Sequence, residues 1–253
     1  TAPAWTSFMT GKNHGKHGVF HFLYHTGDSY DIKFANGLRR KTKSIWKILS
    51  EQDKKVCVFN VPLTYPPEEV NGSMISGLTS PEVSKKIFYP QELLKEIMSE
   101  VGLFSIKPFP EDHIKKNRFD RVFDEMYSVI DQHYKVADYL FQKKDWDFFC
   151  VVFGTTDHVQ HFFWQYMDKD HPFYNHSESI LYRDCIFKIY KKVDEMIGSF
   201  LKRLDDDTTV LILSDHGAGA NGNRVFYVNN WLAQEGLLTY KENSSDNSNS
   251  KGF

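Results

Sequence analysis

The sequence predicts an α/β fold, a mostly parallel sheet with helices on both faces. Three observations carry that reading. Apolar runs rich in β-branched and aromatic residues occupy 56–61, 147–153 and 208–214, and they are closed by Pro62, Gly154 and Ser214. Helical spacing fills the stretches between them. The resulting β-α-β-α-β order is satisfied by parallel strands with helices packed above and below.

Each element follows from its residues. The hydroxyl-rich run Thr1–Gly11 reads as the start of a short helix, with Pro3 near its first turn. Lys43–Gln52 reads as a helix with Ile45, Trp46, Ile48 and Leu49 on one face. Val56–Val61 is a buried strand. Residues 62–90, rich in Pro, Gly and Ser, read as a long loop over the rim. Pro90 opens a helix carrying Leu93, Leu94, Ile97 and Met98. From Arg118 to Lys143 helical spacing runs through Phe119, Val122, Phe123, Met126, Ile130, Tyr134, Ala137 and Leu140. The segment 62–145 is too long for a simple crossover, so part of it is expected to be a helical or loop cap insertion. A strand at 147–153, a loop carrying Asp157 and His161, a helix near 177–204 and a strand at 208–214 follow. Residues 242–252 are polar and of low complexity. The expected organisation is one domain over 1–241 and a disordered linker or insertion tip over 242–253.

Composition narrows the function classes. The chain has 253 residues, 41% hydrophobic and 25% charged, with a formal net charge of −2. No field for a nucleic-acid polymer is implied. No apolar run is long enough to span a bilayer. Cys57, Cys150 and Cys185 are scattered, which argues against a disulfide framework or zinc knuckle. A reducing compartment, the cytoplasm, is the default. The first residue is Thr, so a targeting segment upstream is left open.

Two carboxylate–histidine pairs stand at the ends of apolar runs. Asp157 and His161 follow Phe148–Gly154, and Asp215 and His216 follow Thr209–Ser214. Ligands of open α/β sheets gather at the carboxyl ends of strands. Carboxylate oxygen and imidazole nitrogen are typical zinc ligands. The bland alternative is that each Asp or His caps a helix or bonds within a turn. A threonine just before a helix N-terminus, as Thr1 is, sits beside the positive end of the dipole and suits phosphate chemistry. Its bland alternative is a plain N-cap.

The run TAPAWTSFMTG, followed by His17-Gly18, resembles the nucleophile motif of the type I phosphodiesterase/nucleotide pyrophosphatase family, within the alkaline phosphatase superfamily. Thr1, Pro3, Thr10 and Gly11 keep its spacing. Asp157 and His161 match the family's Asp-x-x-x-His motif. Ser214, Asp215, His216 and Gly217 match its Ser-Asp-His-Gly motif. The resemblance implies an alkaline phosphatase-like fold. It implies Thr1 as the nucleophile that takes the phosphoryl group. Asp157 and His161 would be ligands of one divalent metal, and Asp215 and His216, with the Thr1 oxygen, ligands of a second. Zinc is the expected metal, with manganese or another divalent ion as the alternative. The substrate would be a small-molecule phosphate diester or pyrophosphate.

The chain departs from the family pattern in three places. It contains neither the metal-binding Asp upstream of the nucleophile nor a His after His216, and Ala4 stands where nucleotide pyrophosphatases carry Asn. The resemblance therefore implies an excerpt, weak in metal binding and in activity on its own. The alternatives are a phosphomonoesterase, phosphomutase or other phosphoryl-transfer enzyme of the superfamily, or a binding module with a residual metal site. An N-terminal-threonine hydrolase would leave both Asp/His pairs unexplained. His14, His17, His21 and His25 read mainly as solvated loop residues. Phe162, Phe163, Trp164 and Tyr166 read as helix packing rather than a stacking platform for a substrate ring. Lys12, Arg39 and Arg40 read as surface charge near the rim, with anion binding as the alternative.

Overall fold

A computed structural model describes residues 2–27, 31–107, 111–116, 118–220, 222 and 224–240. The chain divides into two compact units, residues 1–220 and 221–253. In the first unit the elements run α1 (Ala2–Thr10), α2 (His14–His17), β1 (Leu23–His25), β2 (Ile32–Phe34), α3 (Ile45–Ser50), β3 (Val56–Phe59), β4 (Gly72–Ile75), β5 (Phe88–Tyr89), α4 (Leu93–Glu100), α5 (Glu111–Lys115), α6 (Phe119–Lys143), β6 (Phe148–Val151), α7 (Thr155–Met167), α8 (His176–Tyr182) and α9 (Cys185–Leu201). The second unit carries α10 (Val228–Gln234), where Phe226 and Trp231 pack ring on ring at 6.1 Å.

The main sheet has the order β5-β4-β3-β6. β4 and β6 both pair in parallel with β3, and β5 closes one edge antiparallel to β4. Side chains alternate across a strand, so a strand buried throughout needs cover on both faces. β3 has it. Val56 and Val58 pack with Met9 of α1 and Trp46 of α3. Cys57 and Phe59 pack with Leu93 and Ile97 of α4 and with Val136, Ala137 and Leu140 of α6. All four β3 residues are fully buried. Each buried Val or Phe side chain contributes about 1.5–3 kcal/mol.

The 25-residue helix α6 spans two cores. Its second half covers the sheet. Its first half, through Val122, Met126 and Ile130, packs on Val159, Phe163 and Tyr166 of α7 and on Ile186 and Ile189 of α9. No helix is long and apolar enough to cross a membrane among the described residues.

The structure differs from the sequence reading in five places. The loop expected at 62–90 contains β4 and β5, so part of the segment read as a cap builds the sheet itself. β4 opens on Gly72 at φ +151°, where an added Cβ would lie 1.9 Å from the Val56 carbonyl oxygen. That close approach excludes the residue types that usually announce a strand. A two-stranded hairpin, β1–β2, was not anticipated. The loop expected to carry Asp157 and His161 is instead the helix α7, its back buried through Val159, Phe163 and Tyr166. The helix expected near 177–204 is two helices, α8 and α9. Finally, 208–214 is not a strand: the run carries no regular structure, and Leu211 and Ile212 are 79% and 70% exposed. Its apolar residues have the right composition, but a strand exists only with a ladder partner, and among the described residues β6 pairs with β3 alone. Residues 242–252 lie outside the described residues.

Candidate functional site

β6 ends at Val151, and after Gly154 the chain turns into α7. Asp157 falls in the first turn of that helix, where the positive end of the dipole favours a carboxylate. His161 follows one turn later on the same face, with its Nε2 3.4 Å from Asp157 Oδ2. The opposite face of α7 is anchored by Val159, Phe163 and Tyr166, all buried. The pair therefore projects from a helix whose back is fixed in a core. His158 stays beside the pair: its Nδ1 donates to the Gly154 carbonyl at 2.8 Å and lies 4.0 Å from Asp157 Oδ2, its ring stands edge-on to that of His161 at 6.4 Å, and burial holds its pKa below the usual histidine range.

Asp215 and His216 sit at a bend after the 208–214 run. The Ser214 hydroxyl donates to the His216 carbonyl at 2.6 Å, which tightens the bend. His216 Nδ1 donates to the Gly217 carbonyl at 2.8 Å. In the neutral ring that fixes the proton on Nδ1 and leaves a lone pair on Nε2. This Nε2 lies 3.5 Å from Asp215 Oδ2 and 3.8 Å from Asp157 Oδ1. Asp157 thus faces His161 with one carboxylate oxygen and His216 with the other.

Two motifs distant in sequence meet at one place through Asp157. The chemistry of the meeting fits a cation. A neutral His216 would point a lone pair at two carboxylates, and acceptors facing acceptors repel. A positive charge between them, a proton or a metal ion, removes that repulsion. Two carboxylates and two imidazoles are also the donor types of zinc and its neighbours. Among the described residues no group of three or more His, Cys, Asp or Glu side chains is arranged to hold a metal ion as it stands. The donors fit by type and converge in pairs. Their exposure, between 12% for Asp215 and 55% for His161, leaves the cluster open to solvent.

Thr1 lies outside the described residues. Its neighbour Ala2 is fully buried with Val19, Ala35 and Leu63, just beyond the carboxyl end of β3. The other hydroxyls of the first helix have partners inside the fold. Thr6 Oγ1 donates to the Ala2 carbonyl at 2.8 Å and Thr10 Oγ1 to the Thr6 carbonyl at 2.6 Å. Ser7 Oγ is 3.1 Å from His17 Nε2. His17 is fully buried, and its Nδ1 accepts from the Val19 amide at 3.1 Å. Burial lowers its pKa. It is a neutral clasp on α1, not a solvated loop residue.

Arg40 is likewise neither surface charge nor an anion anchor. Its side chain is 6% exposed and pairs with Glu68 at 2.7 Å, and Glu68 also accepts from Trp46 Nε1 at 2.6 Å. Arg39 lies over the Tyr24 ring at 4.6 Å, and Lys12 is exposed. Phe163 and Tyr166 pack with Phe119 and Tyr182, as helix packing requires. Sequence reasoning passed over Asn60 and His133, a buried polar pair under the site. No spacing signal joins two residues that far apart in the chain.

Among known proteins, the family model described as type I phosphodiesterase / nucleotide pyrophosphatase matches residues 1–251. No curated protein and no solved structure matches the chain. The match accords with the mixed α/β architecture and its mostly parallel sheet. It marks the chain as a hydrolase of the phosphodiesterase/nucleotide pyrophosphatase type, in a family that is generally metal-dependent.

Proposed function

This chain belongs to the type I phosphodiesterase/nucleotide pyrophosphatase family, and from that premise we propose that it hydrolyses phosphate diester or pyrophosphate bonds of small molecules through a phospho-threonine intermediate on Thr1. Asp157, His161, Asp215 and His216 would hold two divalent cations, zinc or a similar ion. Cations bound there lower the pKa of a hydroxyl nucleophile and offset charge on the transferring phosphoryl group. The Thr1 oxygen bonds to phosphorus as the bond to the leaving oxygen breaks. Water then cleaves the phospho-threonine and frees Thr1.

The observation that supports this reading best is the position of Asp157, 3.4 Å from His161 and 3.8 Å from His216. One carboxylate shared between two imidazoles from separate motifs is an arrangement for holding positive charge. Asp157 also owes its orientation to α7, so it is set before any substrate arrives.

The test is steady-state kinetics with bis(p-nitrophenyl) phosphate and p-nitrophenyl phosphate, beside metal analysis. Thr1→Ala should abolish turnover and keep most of the bound metal. Asp215→Ala should lose one metal equivalent and about 4 kcal/mol of transition-state stabilisation, roughly a thousandfold in kcat/KM. A Thr1→Ala protein with parental diesterase activity would overturn the nucleophile assignment. A strong preference for the monoester would favour the phosphomonoesterase reading.

A further inference from the structure

β3 ends at Phe59, and the next residue, Asn60, is buried with φ +64°. Left-handed backbone is rare for residues with a Cβ, and Asn tolerates it better than most. The neighbourhood fixes that backbone tightly. A Cβ added at Gly77 would lie 2.3 Å from the Asn60 carbonyl carbon and oxygen. The left-handed turn aims the Asn60 side chain across the sheet. Its Nδ2 donates to the Val152 carbonyl at 2.8 Å and lies 3.5 Å from His133 Nδ1. His133, fully buried on α6, has its Nε2 2.6 Å from the Ser105 carbonyl.

The hydrogen-bond roles follow without ambiguity. A carbonyl only accepts, so His133 Nε2 carries the proton. In the neutral ring Nδ1 is then an acceptor, and burial keeps the ring neutral. Both partners of Asn60 Nδ2 are acceptors, which sets the amide with its nitrogen towards them. Val152 is held twice from the same strand end, its N–H by the Phe59 carbonyl at 3.1 Å and its C=O by Asn60. Two residues later Gly154 caps α7, and Asp157 stands in that helix's first turn. The chain Ser105–His133–Asn60–Val152 thus runs from α6 to the launch point of the helix that carries Asp157 and His161.

We infer that Asn60 is a positioning residue: its amide, braced by His133, sets the β6–α7 junction and thereby the placing of Asp157 and His161. The inference rests on the reading of those two residues as metal ligands. Groups that orient ligands without touching the metal commonly affect affinity or activity 10–100-fold.

Asn60→Gly separates the roles, because glycine keeps the positive φ and removes only the amide. Ile97→Val, on the buried face of α4, serves as a core variant that leaves Asn60 alone. Two readouts are needed. Hydrogen exchange over residues 153–161 in metal-free protein reports the junction alone. Calorimetric zinc titration, with kcat and KM for the diester, reports the consequence. Asn60→Gly should speed exchange at 153–161 about tenfold or more, weaken zinc about 10–100-fold and lower kcat more than it raises KM. Ile97→Val should leave all of these within about twofold of the parent. Parental exchange at 153–161 in Asn60→Gly would overturn the inference, as would parental zinc affinity and kcat. Asp157→Ala is the check on the underlying reading. Parental zinc binding in that variant would overturn the metal assignment, and the exchange result would still decide for or against Asn60 as the positioner of α7.

Discussion

Asp157 and His161 stand on a helix secured from two sides, by the β6 ladder that leads into it and by Phe163 and Tyr166 behind it. Asp215 and His216 end a run that joins no ladder among the described residues, with Leu211 79% exposed. In sequence the two pairs look equivalent, each a carboxylate and a histidine after an apolar run. In the fold one pair is seated on a packed helix, and the other stands at a bend whose contacts include the Ser214 hydroxyl and Asp157. A motif states which atoms are available. The packing beneath it states how firmly they are held, and firmness is what preorganises charge.

The largest expected effect lies in the secured half. Phe163 is fully buried and packs edge-on against Phe119 and Phe123. Phe163→Ala should cost about 3–5 kcal/mol of stability. Chemical denaturation measures it, with the midpoint falling at unchanged slope. A loss below about 1 kcal/mol would mean that α7 is not anchored as described, and the contrast between the halves would collapse.

The next effect comes from protonation. His133 is held neutral by burial, with its pKa lowered to about 4 from 6.5. Between those values the unfolded chain binds a proton that the folded chain refuses. Stability is therefore complete above about pH 6.5 and falls as pH drops towards 4. At 1.36 kcal/mol per unit the loss approaches about 3 kcal/mol. Burial lowers the pKa of His17 and His158 as well, which adds in the same direction. Denaturation curves at pH 7 and pH 4.5, for the parent and for His133→Gln, check this. The variant should lose part of the acid sensitivity, and equal sensitivity in both proteins would assign it to other groups.

Much of the fold was legible. β3 and β6 announce themselves by composition, and α3 and α6 by spacing, because burial on a strand or helix face leaves a period in the sequence. β4 was hidden by Gly72, whose reason is the nearness of the Val56 carbonyl, a fact about a partner strand. The misreading of 208–214 has the same origin. Apolar β-branched residues declare a capacity for pairing, and the partner is not written among them. The site divides similarly. Asp157 and His161 were readable as a carboxylate–histidine pair after a strand, but the helix α7 that seats them was read as a loop. Arg40 with Glu68, and Asn60 with His133, pair across the chain and leave no local trace.

The smallest expected effect is the sharpest test of the contrast. Leu211 sits in the middle of the apolar run and is 79% exposed, next to Ile212 at 70%. A side chain already in water has little transfer free energy left to lose. Leu211→Ser should therefore change stability by no more than about 0.5 kcal/mol, as surface substitutions do. Buried in a parallel strand, the same change would remove a large apolar side chain from a core and leave a hydroxyl needing a partner, at about 2 kcal/mol or more. The two states differ by several times the error of a denaturation midpoint. A large loss would show that 208–214 is a packed strand in solution, and Asp215 and His216 would then be as firmly seated as Asp157 and His161. Near-zero loss, together with rapid hydrogen exchange across 209–213, would establish that the second half of the site stands on an unpaired segment. The hold on Asp215 and His216 would then come from side-chain contacts rather than from a backbone ladder.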